Sequence, residues 1–365
     1  MLPKQTVRSV RFDVPSGHRV PPGGRHADRS REMPVVLRTS PHVLPAEPMS
    51  PLSFERTASR DLVHRRAIGE VLLTDHWIRL ATHRFKVGAQ WPRGHGFYSP
   101  INDRWHDPLL AAESIRQASS LVSHVFYDLP RDHPTLMTEL STDLDPDALL
   151  LDDRPLDVEL AIACKDVVLH ANRLAGMTMD VLLSRGATEM GRARMVFNCM
   201  RGSVYRRLRG AYAEAPVRLP AQPEPLPPRE VGRVVEADVV LGRPLQDGGG
   251  GDRYEKVWPL RVNWSHPTLF DHPTDHVPGM LLLEAARQAA HSLAGPGAVL
   301  AASMSNHFHR YVEFDTPCLV RAWLPDPPQG SGPLRVRVAA EQRDAVVYEC
   351  TLTVHDASAP SGGSR

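Results

Sequence analysis

An internal repeat constrains this chain more than any other feature of its sequence. The segment DPLLAAESIRQASSLVSH, beginning at Asp107, overlays PGMLLLEAARQAAHSLAG, beginning at Pro278, without gaps. Glu113 then falls on Glu284, Arg116 on Arg287, Gln117 on Gln288 and, upstream, His95 on His266, all at an offset of 171 residues (113 to 284). Four polar matches at one spacing imply duplication of a single unit. The length of 365 residues accommodates two such units, each with its own core.

Each repeated block reads as a helix. Asp107 is a good N-cap, Pro108 fits the first helical position and Gly295 suits a C-cap. Glu113, Arg116, Gln117 and Ser120 follow the i, i+3, i+4, i+7 rule, as do Glu284, Arg287, Gln288 and His291. The remaining positions are nearly all Leu, Ala, Ile or Val, which predicts burial on most sides. A single Glu–Arg stripe is ordinarily a solvated edge; the same stripe twice on helices this apolar points to a site.

Segments of strand character follow each helix: DVELAIACKDVVLHA and GMTMDVLLSRGATEMGRARMVFNCM in the first half, and VLAASMSNHFHRYVEF, PCLVRAWL, PLRVRVAA and VVYECTLTV in the second. One apolar helix followed by several antiparallel strands predicts an α+β tandem (double) hotdog, each half a central helix wrapped by a curved sheet.

Proline marks the boundaries, at 34 residues well above the usual share of about 5%. Residues 1–51 read as a disordered Pro/Arg-rich tail, 52–210 as the first unit, 211–230 as a Pro-rich linker, 231–357 as the second unit and 358–365 as a disordered tail. Met49, directly before the first unit, is a candidate start codon.

Composition narrows the function. With 42% apolar and 23% charged residues, and no apolar run of 18, a soluble protein without a membrane span is expected. A formal net charge of +1 offers no electrostatic reason for nucleic-acid binding. Cys164, Cys199, Cys318 and Cys350 lack metal or redox spacing and read as reduced thiols of a cytoplasmic protein.

Two family resemblances rest on particular residues. DHVPGMLLLEAARQAA is similar to the helix entry of hotdog β-hydroxyacyl-carrier-protein dehydratases, with Pro278, Gly279 and Glu284 matching; placing the dehydratase histidine on His272 takes a short deletion. The closer resemblance is to the A-factor biosynthesis (AfsA-like) family, the γ-butyrolactone synthases of filamentous soil bacteria. It is carried by VHRRAIGEVLLTD from Val63, AQWPRGHGFY from Ala89, DPLLAAESIRQ, HPTLFDHPTDHVPGMLLLEAARQAA from His266 and HRYVEFDTP from His309. It implies transfer of a β-ketoacyl group from acyl carrier protein to the hydroxyl of dihydroxyacetone phosphate, followed by closure to a phosphorylated butenolide.

That chemistry requires a base for the hydroxyl proton and positive potential at the thioester oxygen and the phosphate. Glu113 or Glu284 is expected to act as base, and Arg116 or Arg287 to bind phosphate or oxyanion. Because hotdog sites form between units, one working site is expected to combine Glu113 with Arg287, and alanine at either should abolish turnover while the fold survives. His272, His95, His266, Gln117, Gln288 and Gly279 are assigned to substrate binding, Gly279 through the free N–H groups of a helix start.

His266, His272 and His276 suggest metal ligands by type, but Pro267, Pro273 and Pro278 argue against a helix there, and neither metal nor cofactor is expected. HVFYD from His124 matches a short acyltransferase pattern that chance produces often. No G-x-S-x-G elbow occurs, and the Gly248–Gly251 run reads as a loop. The competing readings are a hotdog dehydratase or thioesterase and a non-catalytic acyl-binding regulator; the partners expected are acyl carrier protein and a second copy of the chain.

Overall fold

A computed structural model describes residues 35–37 (backbone only), 52–213, 220–243, 255–295, 297, 299–326 and 332–357. The expectations for the rest of the 1–51 tail, for Gly248–Gly251 and for 358–365 lie outside the described residues.

The first half runs β2 (Leu73–Ala81), β3 (Arg84–Trp91), α1 (Leu109–Phe126), β4 (Thr135–Leu144), β5 (Leu156–His170), β6 (Arg173–Arg185) and β7 (Thr188–Cys199). A short β1 (Val35–Leu37) pairs with the end of β5, and α2 (Gly202–Arg209) follows β7. The second half runs β8 (Glu255–Pro259), α3 (Gly279–Ala294), β9 (Val299–Phe308), β10 (Leu319–Trp323), β11 (Leu334–Gln342) and β12 (Ala345–Asp356).

The duplication is visible in the strand order. The sheet reads β2-β3-β5-β6-β7-β4-β9-β12-β11-β10-β8. From its centre outward, β4-β7-β6-β5-β3 mirrors β9-β12-β11-β10-β8. Every pairing along the sheet is antiparallel, so each half is the expected sheet around one helix. The halves join where Ser141 on β4 faces Ser305 on β9, with Asn306 Nδ2 donating to the Leu140 carbonyl (2.7 Å) and Tyr348 to Asn306 Oδ1 (2.6 Å). α1 and α3 touch each other, and each packs against the strands of its own half. Trp91 Nε1 donates to Ser114 Oγ (2.9 Å), tying α1 to β3.

The boundary read from proline content needs one correction. Residues 220–230 are built into the second half: Leu226 is buried, its N–H donates to the Leu241 carbonyl (3.0 Å), and Gln222 Oε1 accepts from the Val262 N–H (2.7 Å). Proline at 220, 223, 225, 227 and 228 restricts the free chain as well, so less entropy is lost when this extended segment docks. Residues 214–219 of the same stretch lie outside the described residues.

Candidate active site

Helical spacing brings Glu113, Arg116 and Gln117 onto one face of α1. There Arg116 Nε donates to Glu113 Oε2 (2.9 Å) and Arg116 Nη2 to Oε1 (2.7 Å), while Gln117 Nε2 donates to Oε1 (2.6 Å). Arg65, from the loop before β2, closes the cluster with Nε and Nη2 on Oε1 at 3.0 and 2.7 Å. The second half repeats this geometry: Glu284 accepts from Arg287 Nε and Nη2 (2.9 and 2.7 Å), from Arg233 Nε and Nη2 (2.8 and 2.6 Å) and from Gln288 (2.5 Å).

Both glutamates are buried, which by itself would raise a carboxyl pKa; the paired guanidinium groups outweigh burial and hold each down to about 2. A carboxylate so saturated takes a proton poorly near neutrality, against the expectation that Glu113 or Glu284 serves as base. Nor does Glu113 combine with Arg287. Each glutamate binds the arginine three residues along its own helix, because that neighbour is nearest.

The halves are tied instead by the other two arginines. Arg65 donates to the Thr268 carbonyl of the second half (2.8 Å), and Arg233 donates to the Phe97 carbonyl of the first. Sequence inspection passed over this pair, although a signal exists: VHRRAIGEVL from Val63 and VGRVVEADVV from Val231 share V-x-R-x(4)-[ED]-V at an offset of 168 (65 to 233).

Four further residues assigned to substrate binding are engaged in packing loops onto the helices. His95 Nδ1 accepts the Phe97 and Tyr98 N–H groups (both 3.1 Å), and His266 Nδ1 accepts those of Thr268 and Leu269 (3.2 and 3.0 Å). Their Nε2 atoms lie 3.5 Å from Glu70 and 3.1 Å from Asp238. Gln117 spans the Leu72 N–H and the Glu70 carbonyl, as Gln288 spans the Val240 N–H and the Asp238 carbonyl. With these polar atoms occupied, all four residues hold loops against the helices, and none lines a described cavity.

Symmetry breaks at the cavities. Beside Arg116 lies one of about 380 Å³, adjoined by a second of about 180 Å³ that shares Arg116, Met137, His272, His276 and Gly279 with it. The apolar wall comes from Met137, Met195, Leu282, Phe308 and Val312, and the cationic groups are Arg116, Arg131 and Arg310. Asp132 is the only acidic residue among the described lining, and its side chain stands 86% exposed at the rim. α3 begins here at Gly279 with no side chain capping it.

The counterpart beside Arg287 is about 150 Å³ and obstructed. Asp107, in the place of Pro278, is buried and accepts the Leu109 N–H (2.9 Å), so the chain's own carboxylate sits at the start of α1. His64 and Ser120 of the open site are replaced by Gly232 and His291. Gly232 takes a left-handed φ of +67°, and a Cβ there would meet His291 Nδ1 at 2.7 Å. Arg116 keeps 20% of its side chain exposed, whereas Arg287 keeps 4%. Of the expected substrate-binding residues, His272 and Gly279 line the open cavity.

The strand order and the wrapped helices define the class: a tandem hotdog protein, here with an accessible cavity beside Arg116 and the start of α3. The model of the A-factor biosynthesis hotdog domain matches residues 47–201 and 215–356. The chain is 40% identical over 305 residues to the 2-oxo-3-(phosphooxy)propyl 3-oxoalkanoate synthase of Streptomyces virginiae, covering 83% of this chain and 99% of that one. It is 36% identical to the synthase of the same name from Streptomyces griseus, over 84% of this chain and 97% of that one. Among solved structures it is similar to the 12:0-ACP thioesterase from Umbellularia californica, with 13% identity, a TM-score of 0.43, and coverage of 76% of this chain and 100% of that one. The chain belongs to the A-factor biosynthesis hotdog family.

Proposed function

We propose that this chain is an acyltransferase that joins a β-ketoacyl thioester to dihydroxyacetone phosphate. The product is the 2-oxo-3-phosphooxypropyl ester of a 3-oxoalkanoic acid, precursor of a butenolide and hence of a γ-butyrolactone signal. Relatives spanning nearly their whole length carry the name of this synthase. The observation that carries the reading is the open cavity: an apolar wall on one side suits an acyl chain, and Arg131 and Arg310, unpaired with any carboxylate among the described residues, suit a phosphate beside the Glu113-paired Arg116.

Glu113 serves to hold Arg116 at the cavity edge. The Arg116 guanidinium and the uncapped start of α3 supply positive potential for the thioester oxygen, as acyl transfer requires. Arg131 and Arg310 engage the phosphate; among the described residues neither is paired with a carboxylate. Acyl carrier protein presents the acyl group, and the reaction is placed in the cytoplasm, where all four cysteines, buried and free, remain thiols. No helix among the described residues is long and apolar enough to cross a membrane.

The test incubates purified protein with a β-ketoacyl thioester, with and without dihydroxyacetone phosphate, and follows products by mass spectrometry. The phosphorylated keto ester or its butenolide, formed only with both substrates, supports the reading. Equal thioester consumption without the acceptor would point to a thioesterase or dehydratase instead.

A further inference from the structure

The two buried glutamates leave the alcohol without a base, and the loop that leads into α3 supplies one. We propose that His276, oriented by Asp275, is the general base of the open site; this rests on the acyltransferase reading above.

Three observations converge on His276. First, its Nδ1 donates to Asp275 Oδ1 (2.6 Å), which leaves Nε2 as the ring atom with a lone pair, and no hydrogen bond engages that atom among the described residues. Asp275 is itself held in place. The Tyr205 hydroxyl donates to both its oxygens (2.8 and 2.6 Å) and Arg209 Nε donates at 3.1 Å, so the carboxylate stays charged despite burial. The imidazole ring also meets Tyr311 edge-on, with centroids 4.7 Å apart.

Second, His276 lines both adjoining cavities, as Arg116 and Gly279 do. The other histidines there are less suited. The His272 side chain is 49% exposed and 3.7 Å from Asp271, whose oxygens accept the Arg66 and Ala67 N–H groups. His64 Nε2 is bound to His124 Nε2 (2.7 Å), and His133 Nδ1 faces the exposed Asp132.

Third, the obstructed half lacks the pair. The offset of 171 that joins His95 to His266 and Glu113 to Glu284 places Arg104 and Trp105 where Asp275 and His276 stand. The buried Trp105 carries the Arg104 guanidinium over its ring at 4.6 Å. The buried Glu–Arg–Gln clusters occur in both halves; the oriented histidine occurs in one.

In the step, His276 Nε2 takes the proton of the primary hydroxyl as its oxygen bonds to the thioester carbon. The carbonyl electron pair moves onto oxygen beside Arg116 and the start of α3. Collapse restores the carbonyl, breaks the C–S bond and returns the proton from Nε2 to the departing sulfur. Alcohol and thioester become ester and thiol, with no further reactant.

The experiment compares wild type with His276→Gln and His276→Ala in the acyl-transfer assay, alongside melting temperature, thioester binding and pH profile. The expected result is a fall in kcat/KM of about 10²-fold or more in His276→Gln with thioester binding retained. The acid limb of the wild-type profile should be absent from the variant, and added imidazole should partly restore His276→Ala. The charged and titratable groups bearing on this limb are Asp275, Tyr311, Tyr205, Arg209, His272, Arg116 and His64. Activity within threefold of wild type in His276→Gln, or an unchanged acid limb, would overturn the proposal. If His276→Gln melts early, imidazole rescue of His276→Ala decides, and its absence counts against the base. Should wild type consume thioester without transferring it, the acyltransferase reading fails alone, since the effect of His276→Gln on that consumption still decides the base. No consumption by wild type overturns both.

Discussion

At the scale of single residues, the Glu113 and Glu284 clusters are interior ion networks before they are anything chemical. Glu284 has no exposed side-chain surface and bridges two guanidinium groups that are themselves nearly enclosed. Removing its charge leaves both cations without compensation, which ordinarily costs about 3–5 kcal/mol. Glu284→Gln is therefore expected to lower Tm by roughly 10 °C, read by thermal unfolding; an unchanged Tm with abolished turnover would restore the glutamate as a base. Arg131 and Arg310 stand at the other extreme, exposed and without carboxylate partners among the described residues. Replacing either with alanine should raise KM for dihydroxyacetone phosphate by about tenfold with little change in kcat, the cost of one charged hydrogen bond. A change in kcat alone would place the phosphate elsewhere.

At the scale of elements, the loops before the two helices decide which site is open. Gly232 and His291 in one half exchange bulk with His64 and Ser120 in the other, so one backbone course encloses a cavity on one side and a packed ring on the other. Gly232→Ala places a Cβ against the His291 ring at a left-handed backbone position, with an expected loss of about 1–3 kcal/mol measured by chemical denaturation. Its effect on acyl transfer should be small, because the affected site is the obstructed one.

At the scale of the whole molecule, the halves are interdependent. β4 pairs with β9, and each half receives an arginine bond from the other through Thr268 and Phe97. The first half expressed alone would expose β4 as an open edge and strand Arg65, so residues 52–213 are expected to aggregate or self-pair rather than fold as a monomer. Chromatography with light scattering checks this; a folded monomer would refute it.

Acid should act on the whole fold in two stages. His64, His106 and His291 are pushed by burial first, and by neighbouring positive groups such as Arg116, Arg185 and Arg287 respectively, from 6.5 down to about 4. Their folded pKa lies below the unfolded one, so they favour the fold above pH 6.5, and that contribution is lost as pH falls toward 4. Glu113 and Glu284, lowered from 4.5 to about 2, contribute above pH 4.5 and lose that contribution as pH falls toward 2. Tm should begin to fall below pH 6.5 and fall further below 4.5; a flat Tm from pH 7 to 4 would show the histidines are not buried as described.

The sequence by itself determined the duplication, the two buried helices, the strand-rich remainder and the family, because these reside in local periodicity and in motifs with one offset. Glu113, Arg116, Gln117 and their counterparts were legible as a unit because three- and four-residue spacings on a helix are contacts by construction. Their role was not, since a carboxylate reads alike whether one guanidinium or two reach it, and Arg65 and Arg233 come from loops 48 and 51 residues upstream of the glutamates they bind. Which half is open was likewise a tertiary outcome. It depends on whether Asp107 or Pro278 begins the helix, and on whether His291 or His64 fills the space behind it. Only the folded chain brings those positions together, because each site is assembled from segments distant in sequence whose distances are set by the sheet that joins them.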